Sequence, residues 1–229
     1  MTKSEYTLIE NYMLKQMENA DMAHDRHHIL RVLNAALDIY KHEEKVDFDV
    51  LVAACLLHDI GREKQFEDLE KHCHAKIGGE MAYEFLLSID WSKERALHVK
   101  DCIVSHRYRV NIPPETIEAK ILFDADKLEV AGAIGIARTL MYSSPIKEPL
   151  YILDDDGNII TSGGGAEVSS FFQEYNYKLS KAHNSLFTKR AKEIAYERQK
   201  TAADFYKGLA DEIKRNYENG VRAHLTFLS

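Results

Sequence analysis

The chain has 229 residues, with 37 acidic against 30 basic side chains, a net charge of −7 and a pI near 5.9. That balance excludes the extended basic face needed to grip duplex nucleic acid or an acidic membrane, but not a local cluster of Arg and Lys around a small anion. Hydrophobic residues make up 45% and charged residues 29%, which suits one soluble domain with appendages.

Three cysteines, Cys55, Cys73 and Cys102, are an odd number without paired spacing, as expected for reduced thiols of a cytoplasmic protein. The opening Met1-Thr-Lys-Ser-Glu lacks a signal-type apolar region. No apolar run approaches the ~18 residues of a membrane span. Cytoplasmic localisation and no membrane partner are therefore expected.

Helical periodicity runs nearly throughout. It predicts helices over 4–19 and 24–43, the second with a stripe of Leu30, Leu33, Leu37 and Tyr40. A short helix over 48–60 is apolar on all sides and hence central, with Gly61 as its terminator. Its last residues include His58-Asp59, and no Lys or Arg lies between Val50 and Gly61. A carboxylate at the end of a buried segment needs a compensating charge, from elsewhere in the fold or from a bound cation. Further helices are predicted at 74–88, 92–108, 115–125 and 127–142, with Pro113-Pro114-Glu115 as a helix start. Tyr151–Ile160 reads as a small hairpin around Asp156-Gly157, followed by the flexible Ser162-Gly-Gly-Gly165. Two helices over 166–184 and 188–219 complete the pattern. The expected fold class is all-α: a single domain over 1–229, with a site-bearing core at 20–142, an insert at 143–168 and C-terminal helices at 166–219.

Helical phase separates the eleven histidines. His28 shares a face with Val32, Ala35 and Ile39 and points inward, whereas His27 aligns with Arg31, Asn34 and Asp38 on a solvated face. His74 is in phase with Ile77, Met81 and Phe85, and His72 is not. His106 follows Val99, Cys102 and Ile103, whereas His98 aligns with Glu94 and Asp101. Asp126 shares its side with Leu122 and Val130. Four histidines (28, 58, 74, 106) and two aspartates (59, 126) are thus inward polar residues on separate helices. Sites in helical bundles are assembled from such side chains, although an inward histidine is more often just a hydrogen-bonded core residue.

The ordered segments His28-Ile-Leu-Arg31-Val32, Leu57-His58-Asp59-Ile60-Gly61 and Asp124-Ala-Asp126-Lys127-Leu128-Glu129 resemble the HD-domain superfamily of metal-dependent phosphohydrolases. Gly132-Ala-Ile-Gly-Ile-Ala-Arg138 extends the likeness toward one bacterial branch that carries the His-Asp-Ile-Gly element. The resemblance implies that His28, His58, Asp59 and Asp126 hold one divalent cation (Mn²⁺, Fe²⁺, Co²⁺, Ni²⁺, Zn²⁺ or Mg²⁺). His74 and His106 match positions that hold a second ion in some members; a role in steadying the other ligands is the alternative. The implied reaction is cleavage of a phosphoester or phosphoanhydride, with a nucleotide as the expected substrate, by a metal-activated water.

Asp59 is the candidate to orient or deprotonate that water, Glu63 a weaker acid or base, and Lys127 a phosphate contact. Arg62, Lys64, Arg107 and Arg109 are candidate phosphate clamps, each with a plain reading as a surface cation. Arg62 stands near a position that is acidic in guanosine-polyphosphate hydrolases, which disfavours that substrate. His24 and Asp25 either support the ligands or simply begin a helix. The alternatives are a cyclic-dinucleotide phosphodiesterase, a di-iron oxygenase on the same ligands, and a regulatory module that binds nucleotide without turnover. The phosphodiesterase is weakened by the absence of a Gly-Tyr-Pro element after His106. The sequence leaves oligomeric state open.

Overall fold

Helix boundaries follow capping chemistry in the computed structural model, which describes residues 1–18, 24–67, 73–107, 112–163 and 170–228. In chain order the α-helices are α1 (Lys3–Gln16), α2 (Arg26–Tyr40), α3 (Phe48–Leu57), α4 (Arg62–Glu67) and α5 (His74–Ser88). Then come α6 (Lys93–Ser105), α7 (Ile117–Lys127), α8 (Gly132–Ser143), α9 (Phe171–Tyr177) and α10 (Lys189–Leu228). Leu128–Val130 and Leu179–Ser185 form 3₁₀ turns. The architecture is all-α, and no helix among the described residues is long and apolar enough to cross a membrane. The insert carries one antiparallel bridge, Leu153 to Ile159, with Gly157 at φ 81° in its turn.

Several ends differ from the periodic pattern for identifiable reasons. Asp25, Asp47, Ser92 and Thr116 each accept a backbone N–H and fix where α2, α3, α6 and α7 begin. The prolines at 113 and 114 therefore lie before the α7 cap instead of inside the helix. α3 stops at Leu57, so His58 and Asp59 sit in a turn beyond it. The helix α4 has too few residues to display a period. The expected helix over 166–184 splits into α9 and a 3₁₀ turn, and its first residues, with the glycines at 164 and 165, lie outside the described residues.

The chain divides into two compact units, Met1–Glu129 with Leu186–Glu193, and Val130–Ser185 with Ile194–Ser229. In the first, α3 is the buried axis: Val50 to Leu57 are at most 4% exposed. It touches α1, α2, α5, α6 and α7. Each fully buried leucine in it contributes about 1.5–3 kcal/mol. Its start is pinned by Asp47, which accepts from the N–H groups of Asp49 and Val50 and pairs with Arg95 of α6 at 2.6 Å. Pinning the start of a helix that is apolar from Val50 onward draws the other end, with His58 and Asp59, into the interior. In the second unit Phe171, Phe172, Tyr175 and Leu179 pack with Ile136, Ala202 and Ile213.

Asp124 of α7 is fully buried and accepts hydrogen bonds from Phe187 N (2.9 Å), Thr188 N (2.7 Å) and Thr188 Oγ1 (2.7 Å). It thereby ties the residues that open α10 to the first unit. Asp124→Ala leaves two backbone donors without an acceptor and is expected to cost about 3 kcal/mol. Urea denaturation checks this; an unchanged midpoint would remove the tether.

Candidate metal centre

The site is built at helix ends, where backbone groups are left over. His58 and His106 are the C-cap residues of α3 and α6. Each turns Nδ1 back onto a carbonyl of its own last turn: His58 to Cys55 O at 2.8 Å, His106 to Ile103 O at 2.5 Å. The Ile103 carbonyl also accepts the backbone N–H of His106 at 3.4 Å, but carbonyls in a last helical turn have capacity left over, so each imidazole can use one and leave Nε2 facing inward. His28 lies in the first turn of α2, where its N–H donates to Asp25 at 2.9 Å. Asp25 is thus a helix-start residue. His24 lies edge-on to His28, with ring centroids 5.5 Å apart.

His74 reaches the same place through a backbone contact. A Cβ on Gly61 would collide with the carbonyl oxygen of His74 and the backbone nitrogen of Gly78. Only bare glycine lets the turn after His58-Asp59 lie directly on the first turn of α5.

All six inward residues converge. His28 Nε2 lies 3.4 Å from His58 Nε2, 3.5 Å from Asp59 Oδ2 and 3.6 Å from Asp126 Oδ1. His58 Nε2 is 3.6 Å from Asp59 Oδ2. On the other side of the same carboxylate, Oδ1 is 3.4 Å from His74 Nε2 and 3.8 Å from His106 Nε2. Two triads result, His28–His58–Asp59 and Asp59–His74–His106, with the donor atoms of each within 4.8 Å of one another.

The protonation states suit a cation. Burial pushes His74 down to about 2 and His106 to about 4, and lowers His58 as well. Burial opposes ionisation of Asp59, but Arg62 and the imidazoles outweigh it and hold the carboxyl well below its usual range. Asp126 behaves likewise, with Lys127 as the chief opposing charge. Neutral imidazoles beside ionised carboxylates are the forms that ligate metals. Both Asp59 oxygens are buried, and neither accepts a well-formed hydrogen bond among the described residues. The residues present therefore fit a divalent ion, of the borderline type that mixed nitrogen and oxygen donors favour.

The remaining candidates are placed unequally. Arg62 Nε lies 2.6 Å from Asp59 Oδ2, so the charge that α3 lacks is supplied one residue past Gly61. Lys127 Nζ is 2.9 Å from Asp126 Oδ2. Arg107 Nη1 donates to Cys73 Sγ at 3.1 Å. On α4, Glu63 is half-buried and Lys64 exposed. Arg109 and His72 lie outside the described residues. His98, read as a bystander, is half-buried against Thr116 and Glu118.

Periodicity misses one carboxylate. Glu129, 3% exposed, meets His28 Nδ1 at 3.1 Å and Arg31 at 2.9 and 2.8 Å. Arg31, placed by phase on a solvated face, bends back to this buried partner. The available signal was spacing: Arg31 follows His28 by three residues, and Glu129 follows Asp126 by three.

Residues 26–131 match the HD domain family and contain all six converging residues. They are an HD domain. Over 209 residues the chain is 26% identical to the YpgQ protein of Bacillus subtilis, covering 90% of this chain and 92% of YpgQ. It is similar to the crystal structure of YpgQ in complex with ADP, at a TM-score of 0.69 and 25% identity over 91% and 97% of the two chains. An HD-superfamily hydrolase from Bacillus thuringiensis gives a TM-score of 0.68 at 25% identity, over 92% and 97%. A Lactobacillus plantarum protein shares the fold at a TM-score of 0.74 and 23% identity, over 94% and 99%.

The Gly61–Gly78 contact generates a test within this HD domain. Gly61→Ala is expected to destabilise the protein by about 1–3 kcal/mol through overpacking against backbone. Thermal denaturation with and without added Mn²⁺ checks it. A wild-type melting curve would show that the close approach is dispensable.

Proposed function

We propose that this chain is a metal-dependent phosphohydrolase that cleaves a phosphoester or phosphoanhydride bond, with a nucleotide as the substrate class. The observation that carries this reading is the shared carboxylate: each oxygen of Asp59 faces its own pair of imidazoles, in a pocket of ionised acids and neutral histidines. Such an arrangement has little use in a purely structural core, where burying charge is costly. When bound there, a divalent cation lowers the pKa of water and polarises a phosphoryl oxygen. His28, His58, Asp59 and Asp126 are the residues assigned to hold it, and His74 and His106 with Asp59 form the second position.

The chain's own residues supply the rest. Asp59, buried and ionised, is assigned to orient or deprotonate the attacking water, with Glu63 as the weaker candidate acid or base. Arg62 and Lys127 each neutralise a site carboxylate. With a cation held by those carboxylates, Arg62 and Lys127 would be the residues available to substrate phosphate, which guanidinium and ammonium groups bind well. Lys64, Arg107 and Arg109 are the further candidates for phosphate contact. The ADP complex of YpgQ supports a nucleotide.

The decisive experiment strips the protein with chelator and reloads it with Mn²⁺, Co²⁺, Ni²⁺ or Mg²⁺. Phosphate and pyrophosphate release are then measured separately over a nucleotide panel. Asp59→Asn should lose metal and at least about 100-fold in turnover while keeping its helical circular dichroism; retained turnover would remove Asp59 from the reaction. His74→Ala should lower metal content from two ions per chain to one. A wild-type ratio of one, unchanged in the variant, would leave His74 a structural role.

A further inference from the structure

His28, His58 and His106 each meet an oxygen through the nitrogen that faces away from the cluster, and the oxygen behind His28 is unlike the other two. His58 and His106 are oriented by main-chain carbonyls of their own helices, which no substitution removes. His28 is oriented by a side chain 101 residues away, the buried carboxylate of Glu129. That carboxylate is held in turn by both Nε and Nη2 of Arg31, one turn along α2 from His28.

We infer that Glu129 is a positioning residue for the metal centre. It fixes the His28 ring with Nδ1 as the donor, so that the Nε2 lone pair faces His58, Asp59 and Asp126. The inference rests on the metal-site reading above and adds to it an orienting partner on another element. A carboxylate behind a ligating imidazole sets both ring orientation and basicity, and removing it typically costs about 10–100-fold in metal affinity. Here the geometry does more than hold one ring. Arg31 sits three residues after His28 and Glu129 three after Asp126. The Arg31–Glu129 pair therefore clamps the two segments that present those ligands at a fixed separation. Arg31 is one-third exposed and Glu129 nearly inaccessible, so the guanidinium also offsets a buried charge from the solvent side.

The test uses the full-length protein, metal-stripped and titrated with Mn²⁺ or Co²⁺ by calorimetry. Glu129→Leu, which cannot accept the Nδ1 proton, should weaken binding of the tighter ion about 10–100-fold. Glu129→Gln keeps an acceptor oxygen at the same reach and should restore most of that loss. A merely structural role would move the melting temperature of the metal-free variants and leave the Leu-to-Gln difference in affinity absent. Independently of any variant's folding, ¹⁵N spectra of the metal-free wild type should show His28 protonated at Nδ1. Equal affinities in all three proteins, or a wild-type His28 protonated at Nε2, would overturn the inference alone. A wild type that binds no metal would overturn the metal-site reading, and this inference with it.

Discussion

A carboxylate cannot be left inside an apolar helix bundle without a charge to meet it, and the Asp59 carboxylate organises everything around it. Because Val50–Leu57 of α3 are buried on every side, the turn that follows, residues 58–61, is buried with them. Five ring or guanidinium nitrogens approach Asp59 within 3.8 Å, from α2, from its own turn, from α4, from α5 and from the end of α6. Desolvation alone would push the proton back onto this acid. The surrounding donors win, and the group stays ionised. The first unit is in this sense folded around one anion, and the apolar framework exists to hold its donors close.

Much of that was legible in the residues. Phase on individual helices singled out His28, His74, His106 and Asp126, because an inward polar residue in a 3.6-residue pattern is conspicuous, and His58-Asp59 stood out as a polar pair closing an apolar run. The all-α fold class followed from the same periodicity. What phase could not give was the contact between turns. Gly61 and Gly78 lie in different elements, and their close approach depends on two missing Cβ atoms meeting, which no single-helix pattern encodes. Arg62 was visible as a cation, but its direction is set by the turn at Gly61, and spacing alone left it equally suited to solvent. Arg31 was misjudged for a related reason: a long side chain on a polar face can reach back to a buried partner.

The four imidazoles illustrate how a fold makes a donor set from ordinary structural chemistry. A helix must end, and its last carbonyls want donors. A histidine at the C-cap answers that need with one nitrogen and has the other to spare. His58 and His106 therefore cost the fold little beyond their burial. His28 sits at the opposite kind of terminus, where the backbone offers N–H groups instead of carbonyls, so it must find its acceptor elsewhere. That difference in helix polarity is why a side-chain carboxylate stands behind His28 and behind neither of the two C-cap histidines.

The end of α7 applies the same economy to acids. Asp124, Asp126 and Glu129 fall within six residues, yet each faces a different partner. Successive helical residues are about 100° apart, so positions two apart point to nearly opposite sides. Asp124 accordingly turns to the backbone at Phe187 and Thr188, whereas Asp126 turns to His28 and Lys127. The switch to a 3₁₀ turn at Leu128 then swings Glu129 toward α2. Sequence proximity thus says nothing about shared purpose here. A substitution in this short run acts through whichever of three separate surroundings its helical phase selects: the start of α10, the donor cluster, or the ring behind it.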